Sequence, residues 1–416
     1  MRILFSGLNF YPELTGIGKY TGEMARFLTS LGDDVCVVTT PPYYPEWKVH
    51  DGYIRFGYAR EFHNRAVVYR CPLYVPPKPS TVTRLVHLLS YALMSAPVVL
   101  YLAVKNRPDI VVTIQPTMFA APFALLAARL SGAKAVMHIQ DFELDAMLGL
   151  GMSKGGVVAR AGKAVERWLM KRFDKVSTIS YSMMDNARSK GVLGQNLIFF
   201  PNWADTDFVT PDVDGSALRS RWGVADGETV VLYAGNIGKK QGLEVVVKAA
   251  KALKQDANVK FFIVGSGAHV DQLKQLASEA ELDNLAFKPL QAWEDVPAML
   301  AMADVHLVVQ KKGAADVVLP SKLTNILSAG GNALVTAEKE TELGLLEEKY
   351  PGIYKRIEPE DDDMFISALG EMVDMCRAST QKQVNQVARD YAVSNLNRDM
   401  VLSRFKTDLE ELVAEK

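Results

Sequence analysis

The residues with the clearest chemical potential lie just before and inside one helix in the last third of the chain. A carboxylate at Asp316 precedes a Pro320-Ser321-Lys322 step into a helical pattern that carries Asn325. Proline at the start of a helix gives up no hydrogen bond, and the free amides of the first turn attract anions. The stretch therefore predicts a phosphate or diphosphate site. The alternative interpretation is an ordinary capped helix.

Three further glycine loops each follow an apolar strand. Their candidate ligand residues are Gly16 and Gly18 in the first, Asn236, Lys239 and Lys240 in the second, and Gly265 in the third. Glycine lets a backbone approach a ligand closely, and charge-assisted lysine contacts to a diphosphate contribute about 1.5–3 kcal/mol each. The first loop lacks the Gly-x-Gly-x-x-Gly spacing, and no acidic residue ends the second strand, so a nicotinamide dinucleotide is not indicated. Each loop alone could equally be a turn.

A buried strand ends in two side chains that could act on a substrate, His138 and Asp141. At the carboxyl end of a strand they would face a ligand site, which favours a catalytic or substrate-binding role. A structural histidine is the alternative. The three cysteines, Cys36, Cys71 and Cys376, lie far apart and show no metal-ligand spacing. This distribution indicates a reducing compartment and neither a disulfide framework nor a zinc site.

Two segments indicate contact with a membrane. A helical pattern over 154–175 carries five basic residues on one side: Arg160, Lys163, Arg167, Lys171 and Arg172. Such a helix could rest on anionic lipid or be an ordinary solvated helix. The uncharged run 85–104 is long enough to span a bilayer. Because a buried strand follows at 110–114, a span would divide one βαβ unit, and we expect a buried or membrane-resting helix instead.

The elements that position these residues alternate between apolar strands and helices, which is typical of parallel α/β layers. The first series of predicted strands is Ile3–Phe5, Val35–Thr39, Ile110–Ile114, Ala135–Ile139 and Val176–Ile179. The second series is 229–235, 261–265, 285–287, 305–309 and 333–336. We predict two Rossmann-like doubly wound domains facing a cleft. They cover residues 1–200 and 201–383, and the helical segment 384–416 folds back onto the first domain.

Composition limits the classes of function. The 416 residues carry a formal net charge of −1 and are 49% hydrophobic, so the chain can bury large cores and has no overall field for nucleic acid. The N-terminus predicts a short strand rather than a signal peptide. The acidic run 358–363 predicts a solvated loop with a helix cap, not a metal site.

In three motifs, and over essentially its whole length, the chain resembles the retaining, two-domain (GT-B) nucleotide-sugar glycosyltransferases of family 4. The motifs are Pro-Glu-Leu-Thr-Gly-Ile-Gly-Lys-Tyr at 12–20, Gly-Asn-Ile-Gly-Lys-Lys-Gln-Gly-Leu-Glu at 235–244 and Pro-Ser-Lys-Leu-Thr-Asn-Ile-Leu at 320–327. Within the family the resemblance is greatest to members that build exopolysaccharides of the colanic acid type.

The resemblance implies sugar transfer with retained configuration from a nucleoside diphosphate sugar to a polyprenyl-diphosphate-linked saccharide. It implies a peripheral position on the cytoplasmic side of the inner membrane, without a cofactor or required metal. GDP-fucose is the favoured donor, and a UDP-linked hexose stays open. The implied donor-site residues are Gly16, Gly18, Lys239, Lys240, Ser321 and Lys322, whereas His138 or Asp141 would contact the transferred sugar.

This sequence departs from the family pattern at two places. Asn236 and Gln241 stand where many members carry arginine and lysine. The usual pair of glutamates is absent, and Asp316 and Asn325 lie near those positions with a different spacing. Two other functions fit the same architecture. One is a nucleotide-sugar 2-epimerase, which would act on the donor alone. The other is a non-catalytic membrane scaffold, which would not bind nucleotide.

Overall fold

The computed structural model describes residues 1–13, 16–78, 80–142, 144, 156–255, 258–312, 319–379 and 383–415. The chain divides into two compact units. The first contains Met1–Pro201 together with Leu402–Lys416, and the second contains Asn202–Val401. Asp316, one of the expected ligand residues, lies outside the described residues.

The first unit is built on a sheet of eight strands in the order β3-β4-β2-β1-β5-β6-β7-β8. The strands are β1 Arg2–Gly7, β2 Asp34–Thr39, β3 Ala59–His63, β4 Ala66–Arg70, β5 Ile110–Gln115, β6 Lys134–Ile139, β7 Lys175–Thr178 and β8 Leu197–Phe199. Only the β3–β4 pair is antiparallel. The central strands are apolar because helices cover both faces; every residue of β5 is buried.

Five helices of the first unit connect these strands in the described residues. They are α1 Gly16–Ser30, α2 Thr81–Asn106, α3 Ala121–Ser131, α4 Val157–Met170 and α5 Tyr181–Ser189. The longest, α2, begins at a capping box in which Ser80 and Thr83 each bond to the other's backbone N–H. It ends at Arg107, which adopts the left-handed conformation.

The second unit holds a fully parallel sheet of six strands in the order β11-β10-β9-β12-β13-β14. The strands are β9 Thr229–Ala234, β10 Val259–Val264, β11 Leu285–Lys288, β12 Val305–Val308, β13 Ala333–Thr336 and β14 Lys355–Ile357. The described helices are α6 Ser216–Arg221, α7 Glu244–Ala252, α8 Val270–Glu279, α9 Val296–Met302, α10 Ser321–Ser328, α11 Glu342–Lys349, α12 Asp362–Ala378 and α13 Gln386–Asn395. A last helix, α14 Arg398–Ala414, begins in this unit and continues into the first.

These two sheets confirm the predicted α/β class with two Rossmann-like domains. Every predicted strand is present, and the structure adds four that the sequence pattern did not indicate: β3, β4, β8 and β14. Helix α1 begins at Gly16 and not at Lys19, so Gly16 and Gly18 belong to its first turn. Of the C-terminal segment 384–416, only Leu402–Lys416 belongs to the first unit.

Candidate functional site

The strand order of the second unit identifies where a ligand would bind. From β9 the chain proceeds outward to β10 and β11, then returns to add β12, β13 and β14 on the other side. In open α/β sheets ligands bind at the carboxyl ends of the strands flanking such a reversal. The loops that follow β9 and β12 therefore form the candidate site, and their described residues include Lys239 and Lys240 after β9 and Gln310 and Lys311 after β12.

Two glycines allow the loop after β10 to lie directly on the loop after β9. A Cβ on Gly265 would stand 1.9 Å from the Gly235 carbonyl oxygen, and one on Gly267 would stand 2.2 Å from that of Ile237. The two loops are joined by backbone hydrogen bonds, from Gly235 N–H to Val264 at 2.9 Å and from Ile237 N–H to Ser266 at 2.9 Å. Gly265 thus shapes the site by holding the two loops together.

Side chains within the β9 loop fix its conformation. The Gly238 N–H donates to Gln241 Oε1 at 3.0 Å, and the Tyr233 hydroxyl donates to the Asn236 carbonyl at 2.7 Å. Gln241, which stands where the family pattern has lysine, therefore supports the loop that presents the lysines. Lys239, Lys240 and Asn236 are exposed at the tip of this loop.

Lys322 lies partly covered beside this loop, at the start of α10. Its ammonium group is 4.0 Å from the centre of the Tyr233 ring, a cation–π contact. Burial lowers the pKa of Lys322 to about 7, because the charged ammonium is poorly solvated there. An anion beside Lys322 would stabilise its charged form. Ser321, its neighbour, is exposed in the first helical turn.

Gln310 is a site residue that sequence reasoning missed. It follows β12, is nine-tenths buried, and its Nε2 has no hydrogen-bond partner among the described residues. Its backbone exchanges two hydrogen bonds with the Thr336 hydroxyl, at 2.8 and 2.9 Å, which hold it in place. Gln310 lines one small recess together with Lys240 and Lys322. An amide directly after the apolar residues that end at Val309 was the available signal.

The backbone around Gln310 is tied to the lysine loop. The Lys311 N–H donates to the Lys240 carbonyl at 3.0 Å, and the Lys311 side chain covers Gly242. Asn325 lies one turn into α10, and its buried Oδ1 also lacks a partner within the described part of the chain. Unpaired buried polar atoms are rare in native proteins. At the candidate site, Gln310 Nε2 and Asn325 Oδ1 are therefore atoms to which a ligand could hydrogen-bond.

In the first unit the expected glycine loop is organised by Glu13, which sequence reasoning also missed. Glu13 Oε1 accepts the N–H groups of Tyr43 and Tyr44 at 2.9 and 3.0 Å, and Asn9 donates to its Oε2. Burial raises the pKa of Glu13, although these hydrogen bonds oppose the rise. A Cβ on Gly18 would lie 2.6 Å from that of Glu13, so glycine is needed there for packing. Gly16 is exposed, with a φ of +59°.

His138 and Asp141 differ in their access to solvent. His138 lies inside the core: its Nε2 is 2.9 Å from the Gln140 amide nitrogen and its Nδ1 is 2.9 Å from Ser177 Oγ. Because the amide donates, Nδ1 carries the proton that Ser177 accepts. Burial lowers the pKa of His138 to about 3, which keeps the ring neutral. Asp141, in contrast, is exposed just after β6.

The remaining predicted features are also placed by the structure. The exposed residues of α4 include Arg160, Lys163, Arg167 and Trp168, whereas Glu166 turns inward and pairs with Lys190 at 2.8 Å. The acidic run 358–363 contains the cap of α12, because Asp361 accepts the Met364 N–H at 2.9 Å. In the described residues, no group of three or more His, Cys, Asp or Glu side chains could hold a metal ion.

Comparison with known proteins gives a consistent result for both units. Residues 15–203 match the family model of the glycosyl transferase 4-like domain, and residues 215–388 match that of the glycosyl transferases group 1. A colanic acid biosynthesis glycosyl transferase of Escherichia coli, WcaI, is 48% identical over 98% of this chain and 100% of its own length. A Pseudomonas aeruginosa glycosyltransferase, WbjE, is 24% identical over 74% of this chain and 76% of its own.

Solved structures share the fold at low sequence identity. Sucrose-phosphate synthase from Thermosynechococcus elongatus superimposes with a TM-score of 0.75 at 14% identity, covering 100% of both chains. Anabaena HepE, in complex with UDP and glucose, gives a TM-score of 0.68 at 16% identity, covering 99% of this chain and 100% of that one. At these identities the likeness establishes the fold.

Proposed function

This chain belongs to the glycosyl transferases with a 4-like first domain and a group 1 second domain, and on that premise we propose that it transfers a sugar from a nucleoside diphosphate sugar to a polyprenyl-diphosphate-linked saccharide. The product would be a polyprenyl-diphosphate-linked saccharide one sugar longer, an intermediate in the biosynthesis of an exopolysaccharide of the colanic acid type, for which the relative WcaI is named. We propose GDP-fucose as the donor. A UDP-linked hexose is the alternative, because HepE is seen with UDP and glucose.

The observation that carries this proposal is the cluster of cationic and amide groups at the β9/β12 reversal. Lys240, Lys322 and Gln310 line one recess, and the buried Gln310 amide lacks a partner within the described residues. The first turn of α10 adds amide N–H groups and the positive end of the helix dipole. Together these groups suit the two negative charges of a diphosphate and a neighbouring hydrogen-bond acceptor.

The proposed reaction proceeds on one face of the sugar and retains its configuration. The bond between the anomeric carbon and the diphosphate oxygen breaks as the acceptor oxygen forms its bond to the same carbon. The acceptor proton passes to the departing diphosphate. Lys240, Lys322 and the N-terminus of α10 would stabilise the charge that develops on this leaving group, so we propose that no metal is required.

The test compares purified variants in a donor screen with a prenyl-diphosphate sugar acceptor, read by mass spectrometry. We expect Lys240→Ala and Lys322→Ala each to lower kcat/KM by about 10- to 100-fold, since each removes one charge-assisted contact. Lys251→Ala is the matched control, because Lys251 is an exposed lysine of α7 outside the recess. Transfer at the unaltered rate in both site variants would contradict the assignment. Consumption of donor without acceptor would indicate the epimerase.

A further inference from the structure

The outward face of α2 carries an unusual line of apolar side chains. Six of them are between 40% and 68% exposed: Val82, Val86, Leu89, Leu93, Tyr101 and Val104. Their spacing follows the helical period, so they form one continuous stripe about 33 Å long. A soluble helix normally shows charged or polar residues on such a face.

A neighbouring loop extends this apolar stripe sideways. The Tyr58 hydroxyl donates to the Met94 carbonyl at 3.1 Å, which places the loop 54–58 against the middle of α2. On that loop Phe56 is 79% exposed and Ile54 is 56% exposed. The stripe and the loop together are called the α2 face below.

The charged residues of α2 and of the chain segments directly flanking it are of one sign. Between Cys71 and Pro108 the charged residues are all basic: Lys78, Arg84, Lys105 and Arg107. The adjoining loop adds Arg55, whose guanidinium lies 5.0 Å from the centre of the Phe56 ring. All five are exposed. A second copy of this chain would bring like charges together, whereas an anionic surface would be attracted.

The inner face of α2 is integral to the first unit. The Tyr91 hydroxyl lies 3.1 Å from Ser6 Oγ and donates to the Val38 carbonyl at 3.1 Å. His87 Nε2 is 3.0 Å from the Tyr43 hydroxyl. The segment Val82–Asn106 is long and apolar enough to cross a membrane, yet 44% of its most apolar window is buried within the protein. Crossing a bilayer would remove these contacts from the core.

We propose that the α2 face docks on the surface of an anionic phospholipid bilayer, with α2 lying parallel to the membrane plane. Apolar side chains flanked by tyrosine and by basic groups are the combination used by helices that lie in the membrane interface. The docking rests on the proposed function in one respect, since a polyprenyl-linked acceptor would be held in that bilayer. The sequence offered two segments for this contact, the basic helix α4 and the uncharged run 85–104, and the exposed apolar side chains favour the second.

Co-flotation of the full-length protein with vesicles tests the α2 face. Phosphatidylcholine vesicles, with and without phosphatidylglycerol, are compared at low and high salt. We expect binding to the anionic vesicles only, weakening as salt rises. The double variant Leu89→Asp, Leu93→Asp should lower the bound fraction at least about tenfold, because it removes apolar contact and adds negative charge. The matched control, Leu290→Asp with Leu345→Asp, changes two leucines of the second unit that are 61% and 49% exposed.

Depth measurements separate a helix lying on the bilayer from one that spans it. In a Cys376→Ser background, single cysteines at Val82, Leu93 and Val104 are labelled with an environment-sensitive fluorophore. A flat helix gives similar blue shifts at all three positions on vesicles. A deep central position with shallow ends would indicate a span and overturn the proposal. Unchanged flotation of the variant Leu89→Asp, Leu93→Asp would also overturn the proposal. Loss of flotation only in the α4 variant Val165→Asp, Trp168→Asp would do the same.

Nucleotide binding distinguishes failure of the docking proposal from failure of the proposed function. The α2 aspartate variant should bind nucleoside diphosphate as the unaltered protein does, while its transfer to a vesicle-embedded acceptor falls. If the unaltered protein binds no nucleotide but still floats with anionic vesicles, the docking stands and the transferase site does not. If it binds nucleotide and never floats, the docking proposal is wrong.

Discussion

If Lys322 pairs with the donor diphosphate as proposed, donor binding should depend on pH in the physiological range. Its pKa is lowered to about 7 by burial, whereas the ordinary value is 10.5. Only the ammonium form can pair with a diphosphate, so the competent fraction of free enzyme falls as the pH rises above 7. We expect the donor KM to increase, approaching about tenfold per pH unit, between pH 7 and 9.

The matched variant for this prediction is Lys322→Arg, measured over the same pH series. A guanidinium stays protonated throughout, so the KM of the variant should be flat in this window even if its kcat is lower. A KM that rises equally in both proteins would assign the titration to another group.

His138 should make the folded protein less stable at acidic pH. Burial lowers its pKa to about 3, while a histidine in the unfolded chain titrates near 6.5. Between these values the unfolded chain holds the extra proton, so stability falls as the pH falls through that window. We expect His138 to lower the free energy of unfolding by about 2 kcal/mol at pH 5 relative to pH 7. The His138→Gln variant should lose less stability between pH 7 and pH 5, as measured by urea unfolding at both pH values.

The same variant tests the catalytic role expected for His138. If the ring only supports Ser177 and Gln140, the folded variant keeps its kcat and only its stability changes. A large fall in kcat at unchanged donor affinity, with the fold intact, would favour contact with the reacting sugar. Asp141→Asn, at an exposed position, provides the comparison.

At the scale of single residues, the sequence indicated part of this candidate site. Lys322 was recognisable because a helix that starts with proline and carries lysine in its first turn indicates an anion site. Gln310 was not, since its importance lies in burial and in an unpaired amide, which depend on the fold around it. Gln241 could be noted as a departure from the family pattern, but its hydrogen bond with the Gly238 N–H is evident only from the structure.

At the scale of elements, the packing of the β10 loop on the β9 loop should be essential to donor binding. Gly265→Ala places a methyl group 1.9 Å from the Gly235 carbonyl, at a φ of +142°. The loop must then move, and we expect donor affinity to fall at least about tenfold. We also expect the free energy of unfolding to fall by more than about 2 kcal/mol. Calorimetric titration with nucleotide and thermal unfolding measure the two effects.

Gly352→Ala is the control for the cost of the backbone conformation. Gly352 also has a positive φ, +88°, but an added Cβ would meet nothing within 4 Å. This variant should lose only about 1 kcal/mol of stability and bind nucleotide normally. Equal effects of the two substitutions would show that loop contact is not what matters at Gly265.

Central and peripheral strands differed in how well the sequence revealed them. The central strands are continuous apolar runs because both faces are covered, as in β5 and β9. The strands β3 and β4 alternate in exposure and carry arginine and glutamate, while β8 and β14 are three residues long. Short or half-exposed strands have weak patterns, and pairing within the sheet decides their structure.

At the scale of the whole molecule, the C-terminal residues should be indispensable to the first unit. Phe405, Leu409 and Leu412 are buried, and the Phe405 ring stacks on Phe200 at 3.9 Å. Lys406 pairs with Asp33 at 2.8 Å. Removing 402–416 would expose side chains that contribute about 1.5–3 kcal/mol each, which is comparable to the stability of a domain.

Limited proteolysis checks this prediction. We expect the truncated protein to yield a resistant fragment from Asn202–Val401 and rapid cleavage of the first unit. Removing only 413–416 is the control, because the described residues there are at least partly exposed. A first unit that resists protease after the longer truncation would show that the terminal helix is dispensable.

The discontinuous first unit has a consequence for how the protein is made. A ribosome synthesises the first 201 residues early, but the segment that completes their unit, Leu402–Lys416, is made only after the whole second unit. The second unit is continuous in sequence and can fold on the nascent chain while the first waits with an open core. Early strands are therefore exposed to chaperones throughout elongation. A chain that terminates before residue 402 can carry a finished second unit without a finished first unit, and we expect cellular proteases to degrade it.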